Sequence, residues 1–267
     1  LLKLNDFIFY FDKPANLSFL WRSGKDTFVP SIFIINTKAL LMDKQAKINY
    51  LKSLPMFGSL NETEVAQLAD AAHHQVASRY HFVYVPDETA EHLYFLTKGR
   101  IKTGTFSGEG REIIKEIIAP QMVFGDLTLA GETCRSEFAQ SLHDGAEFLV
   151  IKLKDFQKLM QDNQRLIFAC MAHISQRLQR VEERLAKLVV KDARERIIEF
   201  LQETATREGR RVGFETLVKH HLTQQEIASL TGTSRQTVTS VFNELKRSNL
   251  IYFNRNSILI RDVEKLA

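Results

Sequence analysis

The sequence has almost no cysteine. Two in 267 residues, Cys134 and Cys170, build neither a disulfide framework nor a four-thiolate iron–sulfur cluster, and such scarcity fits a reducing compartment. Five prolines and twelve glycines exclude a collagenous or low-complexity chain. No stretch approaches the roughly 20 apolar residues of a membrane-spanning helix. The most apolar segment, 28–42, is broken by Pro30, Asn36, Thr37 and Lys38. Asn5 and Asp6 interrupt the first apolar run and no small-residue cleavage site follows, which is unlike a signal peptide. A cytoplasmic protein with no membrane partner is therefore expected. P-loop, nucleophile-elbow and His-Glu-x-x-His patterns are also missing, so no enzyme and no metal site is expected. No sign of charge dominates, with 36 Lys+Arg against 32 Asp+Glu.

What is present is globular. Hydrophobic residues make up 44% and charged residues 25%, and the length exceeds the ~100–200 residues of one domain. Residues 1–41 hold six of the nineteen Phe and the only Trp, Trp21, without a sustained period. The chain begins with Leu1 and its first Met is Met42, where clear patterning starts. An extension outside the fold, a product of an upstream start site, is the expectation for 1–41; a partner-binding arm is the alternative.

Residues 43–75 read as helical, with an Asn61 cap answered by Glu64. From Arg79 short apolar runs (82–85, 93–96, 113–118, 138–142, 148–153) alternate with turn residues such as Lys98-Gly99 and His143-Asp144-Gly145. That spacing predicts an antiparallel sandwich or barrel over 42–165. Over 166–190, Met171, Ile174, Leu178, Val181, Leu185 and Leu188 form an a/d seam with charged residues on the other faces. Such a seam pairs with its own copy in a homodimer; packing on the sheet domain is the alternative.

The sharpest motif lies in 191–267. Thr223-Gln-Gln-Glu226 is a capping box opening a helix. Counting from Gln224, a small residue falls fifth (Ala228), Gly ninth (Gly232), and Val fifteenth and eighteenth (Val238, Val241). Ala228 lets a second helix cross closely, Gly232 supplies the turn, and the valines lock the pair: a helix-turn-helix. The second helix presents Thr233, Ser234, Arg235, Gln236, Thr239 and Ser240, which together with Thr223 are the candidate DNA contacts. Arg suits a guanine edge, Gln an adenine edge, and Ser or Thr a phosphate. Residues 250–253 and 258–260 read as a hairpin wing. Charge agrees: residues 191–267 carry thirteen Lys+Arg against ten Asp+Glu, whereas 49–165 carry twelve against sixteen. His220-His221 is expected in the loop before this motif, near phosphate.

This order resembles the Crp/Fnr superfamily of bacterial transcription regulators over roughly 48–260. The resemblance is carried by 222–228 and 232–238 in the reading head, and by 93–99, Gly110-Arg-Glu112, Phe124-Gly-Asp126 and Arg135-Ser136 in the sheet domain. It implies an α+β fold: a jelly-roll-like antiparallel β-roll sensor, a dimerisation helix and a C-terminal winged helix-turn-helix. It also implies a homodimer on a palindromic double-stranded DNA operator, with half-sites about one helical turn apart, and RNA polymerase as a partner. At the reading head the cyclic AMP receptor branch has Arg-Glu and a second Arg. Here Gln236 and Ser240 replace the last two, so a different operator is expected, with the guanine read by Arg235 kept.

In relatives that bind cyclic nucleotides, a Gly-acid pair holds the ribose and an Arg-Ser pair the phosphate. Gly125, Asp126, Arg135 and Ser136 match in outline and are the candidate effector residues. The departures are several. Asp126 is shorter than the usual Glu, and the cassette is one residue short. Glu137 adds negative charge beside the Arg-Ser pair. Pro86-Asp87-Glu88 replaces a turn glycine, and Val181 and Glu182 stand at the adenine-contacting positions. A cyclic nucleotide is one candidate effector; another small ligand, or none, is the stronger expectation, with Arg135 paired to Glu137 or Asp126. Haem ligation by His73, His74, His81, His92 or Cys134 is a weaker reading. A dimeric ligand sensor without operator binding is the functional alternative.

Overall fold

The computed structural model describes residues 42–266 apart from 109, 111, 221 and 255–256, with the backbone of three short strands nearer the start. Those strands, β1 (Lys3–Leu4), β2 (Phe7–Phe11) and β3 (Leu17–Phe19), pair antiparallel in sequence order. They belong to a unit of their own, Leu1–Ser31, and Ile32–Ala267 forms a second. The sequence showed no period over these strands. The expectation that 1–41 lies outside the fold otherwise falls outside the described residues, as do Arg111 of the Gly110-Arg-Glu112 motif and His221.

The second unit opens with α1 (Lys44–Ser53), capped by the Asp43 side chain, which accepts from the Ala46 N–H at 2.7 Å. A 3-10 turn at Pro55–Phe57 follows, then α2 (Glu62–Ala71) with the full Asn61–Glu64 capping box. Six antiparallel strands build the β-roll: β4 (His73–Ala77), β5 (Phe82–Tyr84), β6 (His92–Phe106), β7 (Glu112–Ile118), β8 (Val123–Phe124) and β9 (Phe138–Lys152). The sheet order is β4-β9-β6-β7, with β5 added to β9 and β8 to β6. One face packs on the helices through Leu93, Phe95, Leu149 and Ile151 against Leu68, Phe156 and Leu166. The other encloses Tyr84, Tyr94, Phe124 and Phe148.

The expected turns at Lys98-Gly99 and His143-Asp144-Gly145 are not turns. They lie inside β6 and β9, whose register shifts between Leu96 and Lys98 and again between Gly99 and Ile101. Turn-forming residues within a continuous ladder make bulges, which bend the sheet toward closure. Gly99 and Gly145 are left-handed (φ 78° and 71°), and a Cβ on Gly99 would stand 2.1 Å from the Gly145 carbonyl oxygen.

Beyond the roll, α3 (Leu153–Asp162) leads into α4 (Gln164–Val190), a 27-residue helix, about 40 Å long at 1.5 Å per residue. The reading head contains α5 (Ala193–Glu208), the hairpin β10 (Arg210–Val212) and β11 (Glu215–Lys219), α6 (Gln224–Thr231), α7 (Arg235–Arg247), β12 (Ile251–Phe253) and β13 (Ser257–Ile260). The expected wing, β12–β13, joins the unforeseen β10–β11 hairpin in a four-stranded sheet ordered β10-β11-β13-β12.

Gly99→Ala is expected to destabilise the protein by ~1–3 kcal/mol, because both the left-handed backbone and the approach to Gly145 oppose a side chain. Denaturant unfolding measures this; an unchanged midpoint would show that the bulge tolerates a Cβ.

Candidate nucleic-acid interface and sensor site

In the reading head, Thr223 caps α6: its hydroxyl accepts from the Glu226 N–H at 3.2 Å, and the Glu226 carboxylate accepts from the Thr223 N–H at 2.7 Å. Gly232 ends α6 in the left-handed region at φ 62°. Ser234 then caps α7, accepting from the Thr237 N–H at 3.0 Å. Ala228 and Val238 are fully buried where the two helices meet, with Val241 beside them. The Thr239 hydroxyl donates to Gln224 Oε1 at 2.7 Å, tying α7 to α6. Of the seven candidate contacts, Thr223, Ser234 and Thr239 thus use their hydroxyls inside the motif, and Thr233 is half-buried. Arg235, Gln236 and Ser240 are exposed. Asn243 and Arg247, which sequence reasoning missed, are exposed too and continue the face of Gln236 and Ser240 at three- and four-residue steps.

His220 is buried, and its Nδ1 accepts from the Leu222 N–H at 2.9 Å. It organises the entry to α6, where the sequence had suggested a place near phosphate.

The sensor motifs are arranged differently from expectation. Arg135 is 2% exposed. Its guanidinium donates to the carbonyls of Gly125 at 2.9 Å and His92 at 2.5 Å, and lies 4.5 Å from the centre of the Tyr84 ring. Ser136 gives both its N–H (2.9 Å) and its hydroxyl (2.6 Å) to Glu132 Oε1, while Glu132 Oε2 is 3.5 Å from Arg135 Nη1. The chain's own carboxylate therefore occupies the donors that an anion would need. In the Pro86-Asp87-Glu88 turn Asp87 takes a left-handed backbone (φ 70°), a conformation that Asp tolerates better than most residues.

Arg135 pairs with neither Glu137 nor Asp126. Those carboxylates turn to α4 instead. Asp126, 1% exposed, accepts from Arg177 Nη1 and lies 2.7 Å from His173 Nε2. Glu137 is 3.7 Å from Arg177 Nη2 and 3.3 Å from Lys115. Burial opposes ionisation of Asp126. The His173 hydrogen bond and the Arg177 charge prevail, and its carboxyl is held below the ordinary 3.8.

The helix α4 thus has two faces. Leu166, Cys170, His173 and Arg177 lie against the roll. On the other side Met171, Leu178, Val181, Leu185 and Leu188 are 42–62% exposed, while Ile174 is half-buried. The candidate haem ligands are dispersed: His74 pairs with Glu147 at 3.3 Å, His73 lies 3.1 Å from the Ala71 carbonyl, and Cys134 is exposed. Among the described residues no group of three His, Cys, Asp or Glu could hold a metal, and no helix is long and apolar enough to cross a membrane.

Known proteins match both halves. Residues 195–267 match the Crp-like helix-turn-helix domain, and residues 75–163 the cyclic nucleotide-binding domain. The CRP-like cAMP-activated global transcriptional regulator of Mycobacterium tuberculosis is 29% identical over 71% of this chain and 84% of its own length. The global nitrogen regulator of a Nostoc species is 24% identical over 67% and 80%. Among solved structures, FixK2 from Bradyrhizobium japonicum shares the fold with a TM-score of 0.65 at 21% identity, over 73% of this chain and 95% of that one.

Arg177→Met leaves Asp126 buried without its guanidinium partner and is expected to cost ~3–5 kcal/mol near neutral pH. Because the Asp126 carboxyl is depressed when folded, its contribution is full above the unfolded value and fades as pH falls through the lower folded one. The wild type should therefore lose stability on acidification below about pH 4, and the variant should lose less. Unfolding midpoints across pH 2–7 measure both; parallel pH profiles would remove the ion pair from this role.

Proposed function

The chain belongs to the Crp/Fnr superfamily of bacterial transcription regulators, and we propose that this DNA-binding regulator works as a homodimer on a palindromic operator. The observation that carries the reading is the outward face of α7. Arg235, Gln236 and Ser240 are exposed, while Val238, Val241 and Leu245 anchor the opposite face. Arg235 is the guanine-reading side chain, Gln236 faces the adjoining base edge, and the capped helix ends direct backbone N–H groups toward phosphate. The exposed seam of α4 supports pairing with a second copy, which brings two α7 helices to one duplex face. RNA polymerase is the partner that superfamily membership supplies, and the cytoplasm the compartment.

Control by cyclic nucleotide is not part of this reading. Glu132 takes the Ser136 donors, Arg135 is committed to two carbonyls and a ring, and Asp126 is committed to α4. A ligand shifts a regulator only through unequal affinity for its states, and here the anion-binding groups already have partners.

Operator selection from random duplex DNA, with and without cyclic AMP, tests both parts. One palindrome, equally enriched in the two conditions, is expected. Arg235→Ala should then weaken binding by ~1–3 kcal/mol and relax one position per half-site. Equal loss on every sequence would reduce Arg235 to a phosphate contact, and enrichment only with the nucleotide would restore it as effector.

A further inference from the structure

We propose that Arg184 is a positioning residue for operator recognition: with Arg196 it fixes the exit of α6 against α4, and so sets the spacing between half-sites that a pair of reading heads accepts. The proposal rests on the homodimer reading above and adds to it what decides the spacing.

The hinge between α4 and the reading head is short. α4 ends at Val190 and α5 begins at Ala193; Lys191 and Asp192 between them have extended backbone, with ψ 142° and 172°. Each of these residues has two soft dihedrals, so the hinge by itself leaves the direction of the head open. In a dimer paired along α4, that direction is what sets the separation and tilt of the two α7 helices, and hence the spacing of the half-sites they can enter. Contacts across the hinge must therefore supply the constraint.

α6 is held at both ends. Before its entry, Arg100 of β6 donates to the His220 carbonyl at 2.7 Å and to Glu208 at 2.6 Å. At its exit the last carbonyls of the helix lack intrahelical donors, and arginines from outside the helix supply them. Arg184 Nη2 donates to the Ser229 carbonyl at 2.9 Å. Arg196 Nε donates to the Thr231 carbonyl at 2.8 Å, and its Nη2 to the Gly232 carbonyl at 3.1 Å. The other terminal nitrogens reach away from α6: Arg184 Nη1 donates to the Lys115 carbonyl of β7, and Arg196 Nη1 to the Lys191 carbonyl of the hinge at 2.5 Å. Two planar forks thus join the turn of the helix-turn-helix to α4, to the hinge and to the roll, and their charge suits the negative end of α6. Leu188, one turn on from Arg184, closes the same joint, with its Cδ2 2.5 Å from where a Cβ on Gly232 would stand. The other links across the hinge, from Lys187 and Lys191 to Glu199 and Glu203, reach only α5 and are partly exposed ammonium–carboxylate pairs, which hold geometry weakly. The guanine-reading Arg235 follows Gly232 by three residues, through the Ser234 cap. Without Arg184, α6 and α7 stay packed through Ala228 and Val238 but can pivot together about the entry that Arg100 holds.

The test uses the full chain and the palindrome that the wild type selects from random DNA, as selected and with one base pair inserted or removed at its centre. Each change moves the half-sites by ~3.4 Å and turns them by ~35°. The wild type should bind both altered duplexes about 10-fold or more weakly, because the DNA must be deformed to fit fixed heads. Arg184→Met should bind the selected palindrome several-fold more weakly and hold all three spacings within about 3-fold of one another, because a freed head adapts to each. Arg184→Lys keeps the charge but not the fork; its discrimination should fall between the two, and it decides the matter if Arg184→Met does not fold. Sedimentation of each variant confirms that the dimer is intact. A wild-type ratio among the three spacings in either variant, with equal loss on all of them or with no loss, overturns the proposal and leaves the operator reading standing. So does a wild type that binds the three spacings alike. A wild type that selects no palindrome overturns the operator reading itself, and this role of Arg184 with it.

Discussion

The buried Asp126 carboxylate, held between His173 and Arg177, fastens the long helix α4 to the β-roll. An ion pair of this kind constrains geometry more than it stabilises: its desolvation cost is high, and it persists only when its hydrogen bonds are met. With that face of α4 fixed, the rest of the helix is determined. Arg184 donates to the Lys115 carbonyl of the roll and the Ser229 carbonyl of α6. Near its far end, Leu188 lies where a Cβ on Gly232 would meet it at 2.5 Å. One helix therefore touches the sensor cassette, the turn of the helix-turn-helix and, through its exposed seam, a proposed second copy.

The same arrangement gives the cassette residues of the cyclic nucleotide-binding domain partners within the chain itself. The acid that a ribose would require is turned outward to α4, and the Arg-Ser pair is satisfied by Glu132. The interior is filled by rings, with Tyr94 and Phe124 stacked at 4.9 Å. Through Asp126 the cassette also joins the roll to α4.

Much of this was legible in the sequence because it depends on local chemistry. The Asn61–Glu64 and Thr223–Glu226 boxes, the Ala228–Gly232 spacing and the alternation of the wing each involve residues within one or two turns. The α4 seam was legible for the same reason. The misreadings have a common cause. Gly99 and Gly145 look like turn residues, and only their pairing across β6 and β9 shows them to be bulges. The carboxylates near Arg135 could be counted, but Glu132 reaches Ser136 and Asp126 reaches Arg177 through the path of the chain, which residue type does not encode. Thr239 looked like an outward contact until Gln224 was found beside it on the neighbouring helix. Asn243 and Arg247 carried a helical-spacing signal that could have been followed.

The most direct measurement is the stoichiometry of the operator complex by sedimentation equilibrium, with cyclic nucleotide absent. If α4 pairs through Met171, Leu178, Val181, Leu185 and Leu188, two chains should bind one palindromic duplex. The same two-chain species should be present without DNA at micromolar concentration. One chain per duplex, or a monomer that pairs only when cyclic nucleotide is added, would contradict it.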